Sequence, residues 1–349
     1  MSKSYSKAVQ IWLLAGVIMV FGQIIIGGIT RLTGSGLSIT RWEIVTGTLP
    51  PTNAQDWEAE FDLYKETPQY KKINEGMSMK QFKFIYFWEY FHRLWARSIG
   101  FVFLIPFLWF IARGKIDKPL IFRLLGLVGM GALVATFGWI MVASGLIERP
   151  WVNAYKLTLH LNLGIILFCM VLWTYFYGRD PDRRRFKSSS MRRTIGWIGV
   201  VLFAQLLLGG VMSGMKAGLF YPTWPDMNGQ WIPSLLLNGE NWRADAIAQY
   251  DTLPLMPALV QLLHRLTAYI LAGMAGYFIW KTSRLQLPSY ARSGVLAFGI
   301  AMGVQILLGI LTVINCVGQI PLWLGVMHQA GAVVLTASWL YLLWSTSRD

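Results

Sequence analysis

The chain has 349 residues, of which 55% are hydrophobic and 14% charged, and its formal net charge is +14. Its mean hydropathy is +0.47, and its apolar residues come in runs of about twenty rather than in amphipathic stripes. This composition excludes a soluble globular protein and predicts an all-α polytopic membrane protein.

The apolar runs predict eight transmembrane helices, at residues 9–29, 84–111, 120–143, 155–177, 195–215, 255–280, 293–314 and 322–344. Five segments, 1–10, 112–123, 178–193, 281–292 and 345–349, together carry 17 Lys and Arg but only four acids. By the positive-inside rule these segments face the cytoplasm, so both termini are predicted to be cytoplasmic. The excess of basic residues therefore reflects topology and gives no sign of nucleic-acid binding.

The polar segments predict how the spans are connected. The short basic leader, residues 1–10, has no cleavage motif, which favours a bacterial plasma membrane. The longest polar segment, 30–83, mixes charges of both signs and predicts a folded cap on the outer face. The basic stretch 179–193 is predicted to be a cytoplasmic linker between two halves. Cys169 and Cys316 lie within or at the end of different spans and are expected to be core thiols.

The second half repeats the first. The pattern Gln23, Gly27, Gly28 recurs 182 positions later as Gln205, Gly209, Gly210, and the pair His92, His160 recurs as His264, His328 at offsets of 172 and 168. Three anchors at nearly constant offset indicate an internal duplication with both copies in the same orientation. We therefore predict two tandem four-helix bundles, residues 1–178 and 194–349, related by a pseudo-two-fold axis along the membrane normal.

All four histidines lie on even-numbered spans, five to nine residues inside the outer end. At 1.5 Å per residue this is a depth of about 8–14 Å for each of them. Even-numbered spans run parallel, so His92 is expected to face His160, and His264 to face His328. A facing pair of imidazoles in a helical bundle can hold a haem by both axial positions, whereas zinc needs three or four ligands. The sequence therefore predicts two haem sites near the outer face.

One acid distinguishes the two halves. Glu89 lies one turn before His92, and Gln261 occupies its place in the second half. A carboxylate beside a haem edge can accept a proton or stabilise a developing cation, and a glutamine can do neither. The alternative is that Glu89 only forms a structural ion pair with Arg93 or Arg97.

Several arginines lie near the predicted sites. Arg31 and Arg41, close to the outer end of the first span, are either partners for haem propionates or ordinary loop arginines. Arg93 and Arg265 each follow a histidine directly. We expect them to serve both bundles in the same way, by pairing with propionates or by bonding between helices.

Five stretches carry a resemblance to a known family. They are GGITRLTGSGLSITRW (27–42), EYFHRLWAR (89–97), AGLFYPTWPDMNGQWIP (217–233), VQLLHR (260–265) and HQ (328–329). In combination they resemble the haem A synthase family. The chain is closer to the mitochondrial and proteobacterial kind, because it lacks the outer-loop cysteine pairs of the Gram-positive kind.

This resemblance implies an oxidoreductase that converts a ring methyl of haem O, the C8 methyl, through an alcohol to the formyl group of haem A for cytochrome oxidase. It implies that His92, His160 and Glu89 hold the substrate haem, and that His264 and His328 hold a permanent haem b that relays electrons. Haem O synthase and a cytochrome oxidase subunit are the partners that pathway order suggests, beside the lipid bilayer. No sequence motif identifies the electron acceptor.

Two other functions account for part of the pattern. A di-haem cytochrome b that only transfers electrons explains the four histidines and the duplication but leaves Glu89 without a role. A haem carrier that hands the cofactor to an oxidase subunit is the third interpretation. The pigment extracted from cells supplied with haem O separates the three.

Overall fold

A computed structural model of the chain describes residues 4–41, 49–147, 149–180 and 185–347. Among these, eight helices are long and apolar enough to cross a membrane, which confirms the predicted all-α polytopic membrane protein. They are α1 (Lys7–Leu32), α3 (Met79–Ala112), α4 (Lys118–Ala143), α5 (Ala154–Arg179), α6 (Ser189–Gly214), α8 (Leu255–Ser283), α9 (Ser289–Ile314) and α10 (Leu322–Ser345). Two shorter helices, α2 (Ala54–Lys65) and α7 (Ser234–Leu237), lie between spans. Residues 42–48 of the predicted outer cap and 181–184 of the predicted linker lie outside the described residues.

Polar caps fix where several spans begin. The Ser78 hydroxyl accepts the N–H of Gln81, and the Gln81 side chain in turn accepts the N–H of Ser78, which is a capping box at the start of α3. Asp117 caps α4 by accepting the N–H of Leu120. These caps pair backbone N–H groups that would otherwise be left without partners at the membrane boundary.

The described residues form two compact units, Ser4–Arg179 and residues 180–347. In the first unit, α1 packs against α3 and α5, and α5 packs against α4. In the second unit, α6 packs against α8 and α10, and α9 packs against α8 and α10. Each unit thus contains four spans, two of which carry a histidine.

The outer segment of the first unit folds against α3. Phe61 and Tyr64 of α2 form a buried aromatic cluster with Phe82 at the start of α3. The Tyr64 hydroxyl donates to the Gln69 side chain at 3.0 Å, and Gln69 Nε2 donates to the carbonyl of Gly34 at 2.9 Å. Burial raises the pKa of Tyr64 to about 12, so its hydroxyl keeps its proton for this bond. The chain of bonds connects the outer segment to the end of α1.

In the second unit, the residues just before α6 pair with the residues that follow α10. Phe186–Lys187 (β1) pairs in parallel with Thr346–Ser347 (β2). Arg192, in the first turn of α6, donates to the carbonyls of Leu343 and Thr346. Part of the stretch predicted as a linker is therefore ordered against the C-terminal end of α10.

Both units leave their first span through the same turn. Gly34, after α1, has φ +69°, and Lys216, after α6 and 182 positions later, has φ +53°. Glycine reaches this left-handed region freely, whereas a lysine there costs about 1 kcal/mol. The repeated turn points the following loop back toward the histidine helix of its own unit.

Candidate functional site

The two histidines of the second unit face each other. His264 of α8 and His328 of α10 have ring centroids 6.5 Å apart, and their planes are inclined by 79°. Bonds from a metal ion to imidazole nitrogen are about 2 Å long, so two imidazoles that bind one ion from opposite sides have centroids about 6 Å apart. This pair has the spacing that two axial ligands need.

His92 of α3 and His160 of α5 form the corresponding pair in the first unit. Both side chains are half-buried. Their helices, α3 and α5, both pack against α1. Each unit therefore carries its two histidines on spans of one bundle.

Each imidazole also lies against a glycine of a neighbouring span. A Cβ atom on that glycine would come within 2.8–3.3 Å of the imidazole Cε1, closer than carbon atoms normally pack. The pairs are Gly27 with His92, Gly138 with His160, Gly209 with His264 and Gly309 with His328. The absent side chain lets the Cε1 edge of each ring approach the backbone of the neighbouring span.

The sequence indicated only half of this arrangement. Gly27 and Gly209 belong to the repeated pattern at offset 182. Gly138 and Gly309 also repeat, at offset 171, but they are single glycines among the 34 of the chain. Comparison of the two halves at an offset of 171, close to the offsets of 172 and 168 that relate the histidines, is the signal that finds them.

Three of the four imidazoles have a glutamine partner on an adjacent helix. Gln23 Nε2 lies 3.2 Å from His92 Nδ1 and donates to the His92 carbonyl. Gln305 Nε2 lies 3.1 Å from His328 Nδ1 and likewise donates to the His328 carbonyl. We refer to Gln23, Gln205 and Gln305 as the three glutamines.

His264 contacts its glutamine through the other ring nitrogen, and His160 has a backbone partner instead. Gln205 Nε2 lies 3.2 Å from His264 Nε2, and the Gln205 side-chain oxygen accepts the hydroxyl of Thr267. His160 Nδ1 lies 3.0 Å from the backbone carbonyl of Val134. His160 is thus oriented by main chain rather than by a side chain.

These residues fit a haem better than a bare metal ion. Within the described part of the chain, no group of three or more His, Cys, Asp or Glu could hold a metal ion. Two imidazoles on facing helices, with glycines beside them and apolar helices around, suit a porphyrin bound from both faces. Buried polar atoms without a hydrogen bond also gather here: Gln23 Oε1, Gln305 Oε1 and His264 Nδ1.

Glu89 is buried and fully engaged. Its side chain is 3% exposed, and Oε1 lies 2.5 Å from Arg93 Nη2. Oε2 accepts the Ser38 hydroxyl and the N–H of Ile39, both at 2.8 Å. Three donors therefore compensate the desolvation of the carboxylate. Of the two ion pairs considered from the sequence, the one with Arg93 is present.

Gln261 occupies the same place in the second unit and contacts the corresponding loop. Its Nε2 donates to the carbonyl of Tyr221 at 2.9 Å. Arg265 donates to the carbonyls of Tyr221, Thr223 and Asp226 at 3.0, 2.8 and 2.6 Å. Arg93 donates in the same way to the carbonyls of Ile39 and Arg41, at 3.0 and 3.1 Å. Both arginines thus bond a helix to the loop that follows the first span of their unit.

The remaining arginines differ in their surroundings. Arg31, at the end of α1, is half-buried, and no hydrogen bond or ion pair of its side chain occurs among the described residues. Arg41 is exposed. Arg97 lies one turn after Arg93 on α3 and is half-buried. Arg31 is therefore the cationic side chain best placed to pair with an anionic group.

The two cysteines are free. Cys169 is half-buried within α5, and Cys316 is buried just after α9. Both were expected to be core thiols, and neither is part of the histidine sites.

The chain is similar to known proteins over nearly its whole length. Residues 10–340 match the model of the family described as "Cytochrome oxidase assembly protein". A protein of Nitrosospira multiformis named Heme A synthase is 40% identical over 332 residues, covering 94% of this chain and 90% of the relative. Heme A synthases of Flavobacterium psychrophilum and of a Caulobacter species are 38% and 40% identical over 347 residues. Those alignments cover 98% of this chain and 99% and 97% of the relatives.

Proposed function

Because this chain belongs to the haem A synthase family, we propose that its two units divide the conversion of haem O to haem A between them. The chain is a multi-pass membrane oxidoreductase. In the proposal, His92 and His160 of the first unit bind haem O as substrate. His264 and His328 of the second unit bind a haem b.

The observation that carries the proposal is the pair His264 and His328, with ring centroids 6.5 Å apart. A haem b bound there supplies one-electron redox chemistry. The surrounding residues fix the orientation of the two imidazole rings. Gly209 and Gly309 leave room for these rings, because a larger side chain at either position would collide with the imidazole. The first unit repeats this arrangement with Gly27 and Gly138.

Glu89 is the reason for assigning the substrate haem to the first unit. It lies one turn from His92, and its counterpart Gln261 carries no charge. We assign it the proton that leaves the ring methyl, or the stabilisation of positive charge that develops on that carbon. Arg93, at 2.5 Å, positions the carboxylate.

Arg31 is assigned to a propionate of haem O. Its guanidinium lies at the outer end of α1, half-buried and without an ion pair among the described residues. A propionate would give it a charge-assisted hydrogen bond, the strongest kind available at such a site. Arg93 and Arg265 are already engaged with loop carbonyls and are assigned to holding those loops.

The proposed membrane topology follows from the positions of the basic residues. Segments rich in Lys and Arg precede α1, connect α3 to α4 and connect α8 to α9. Placed in the cytoplasm of a bacterium, they put both termini inside and the haem sites toward the extracytoplasmic side of the plasma membrane. Haem O synthase is the proposed supplier, and a cytochrome oxidase subunit the proposed recipient.

Haem typing tests the proposal. The protein is purified from cells with and without a source of haem O, and the extracted pigments are separated and identified. We expect haem b in both preparations and haem A only when haem O is supplied. Two b haems and no haem A under either condition would instead identify an electron-transfer cytochrome and overturn the proposal.

A further inference from the structure

The three glutamines make contacts that the proposed haem ligation alone does not explain. Each lies on a span adjacent to a histidine helix and is half-buried. Gln23 and Gln305 place the amide 3.2 and 3.1 Å from Nδ1 of His92 and His328, whereas the Gln205 amide lies 3.2 Å from Nε2 of His264 and its oxygen accepts the Thr267 hydroxyl. A glutamine in a membrane span is costly to bury, so three such contacts indicate a role at the imidazoles.

Iron ligation dictates what the second nitrogen of each ring must do. An imidazole that binds iron through Nε2 carries its proton on Nδ1, and this N–H needs an acceptor that fixes the ring. The side-chain oxygens of Gln23 and Gln305 are buried and have no hydrogen-bond partner in the described part of the chain. A half-turn of either amide about its last side-chain bond brings this oxygen to Nδ1, in exchange for the hydrogen bond that Nε2 donates to the histidine carbonyl. The acceptor that iron ligation requires and the unpaired glutamine oxygen are therefore available beside the same imidazole nitrogen.

For the imidazole of His160, a main-chain carbonyl supplies the acceptor that Nδ1 requires. His160 Nδ1 lies 3.0 Å from the carbonyl of Val134. Val134 precedes Gln305 by 171 positions, as Gly138 precedes Gly309. The same helix position thus faces the second histidine of each unit, through its carbonyl in the first unit and through a side chain in the second.

We propose that Gln23 and Gln305 are positioning residues, which accept the Nδ1–H of haem-bound His92 and His328 and so set both ring orientation and ligand strength. This inference rests on the proposed haem ligation. An acceptor on Nδ1–H makes the imidazole a stronger electron donor, which favours the ferric haem and lowers its midpoint potential.

The experiment measures the midpoint potential and the rate of haem loss of the second site in purified full-length protein. In Gln305→Val the position copies Val134, and the amide is lost. We expect the midpoint potential to rise and haem b to dissociate about 10-fold faster. In Gln305→Glu a stronger acceptor replaces the amide, and the potential is expected to fall. Opposite shifts from these two variants exclude a packing defect, which would move both potentials in one direction.

Two further variants complete the design. Gln286→Val removes an exposed glutamine of the same unit, and its potential should equal that of the wild type. Gln305→Asn keeps an amide on a shorter side chain and serves if Gln305→Val does not accumulate in the membrane. It is expected to raise the potential because the shorter amide cannot reach Nδ1.

The outcomes separate the two proposals. Wild-type protein that carries haem b, with unchanged potential and unchanged haem loss in every Gln305 variant, would overturn the role of the glutamines and leave the ligation intact. Wild-type protein without haem on His264 and His328 would overturn the ligation and the positioning role together.

Discussion

Glu89 and Gln261 occupy equivalent positions in the two units but hold their loops through hydrogen bonds of opposite direction. Glu89 Oε2 accepts the N–H of Ile39 at 2.8 Å, whereas Gln261 Nε2 donates to the carbonyl of Tyr221 at 2.9 Å. Ile39 and Tyr221 are themselves 182 positions apart. Exchange of the acid for an amide therefore reverses a contact as well as removing a charge, and a test of Glu89 must separate these two effects.

Glu89→Gln is expected to retain haem b and to lower haem A formation by about 10²–10⁴-fold, the usual contribution of a positioned general base. The amide can neither take the proton nor stabilise a cation. The measurement is the ratio of haem A to haem O in pigment extracted from the purified variant.

Ser38→Ala is the matched control, because it removes one bond that holds the loop to Glu89 and keeps the carboxylate. It should cost about 1–3 kcal/mol of stability but retain most of the haem A formation. Full haem A production by Glu89→Gln would remove Glu89 from the chemistry and leave it only the loop contact.

His328→Ala is expected to abolish haem b binding in the second unit while haem O still loads in the first. The remaining imidazole, His264, offers one axial ligand where two are needed. Absorbance of the reduced protein and pigment typing measure both occupancies. Retention of haem b by both His328→Ala and His264→Ala would exclude this pair as ligands.

Gly309→Ala is expected to weaken haem b binding, because the new Cβ would lie 3.0 Å from His328 Cε1 and push the ring away. Gly303→Ala, on the same helix, is the control, since its Cβ would meet nothing within 4 Å. Either alanine adds up to about 1 kcal/mol of helix propensity. A loss of haem b in Gly309→Ala alone therefore identifies the contact with His328, and equal haem content in the two variants would exclude it.

Arg31→Gln is expected to release haem O about 10-fold faster, since a charge-assisted hydrogen bond to a propionate contributes about 1.5–3 kcal/mol. Arg41→Gln should have a smaller effect, because that side chain is exposed and its interactions are screened. Dissociation of haem O into a haem-binding acceptor protein gives both rates. Equal rates in Arg31→Gln and the wild type would assign the propionate to another residue.

Arg265→Lys is expected to destabilise the loop that follows α6. The guanidinium donates to the carbonyls of Tyr221, Thr223 and Asp226, and the single ammonium of lysine cannot reach all three. Thermal unfolding should occur at a lower temperature, and limited proteolysis should cut the loop sooner. Unchanged proteolysis would show that the loop is held by its other contacts.

Much of the architecture could be predicted from the chain itself. Long apolar runs place the eight spans, because lipid leaves a backbone no alternative to internal hydrogen bonding. The repeat of Gln23 and Gly27 as Gln205 and Gly209 is visible without coordinates, as is the difference between Glu89 and Gln261. These features depend on residue type and spacing along one helix.

The partners of each side chain were decided only by the tertiary structure. The ion pair of Glu89 with Arg93 was one of two alternatives, and the loop bonds of Arg93 and Arg265 were not specified by spacing. Gln305 has no glutamine counterpart in the first half, and Gly138 resembles any other glycine of a span. Which helix faces which, and with what rotation, follows from packing between segments tens of residues apart. A sequence therefore determines which groups are available to a site, and only the packed helices decide which of these groups meet.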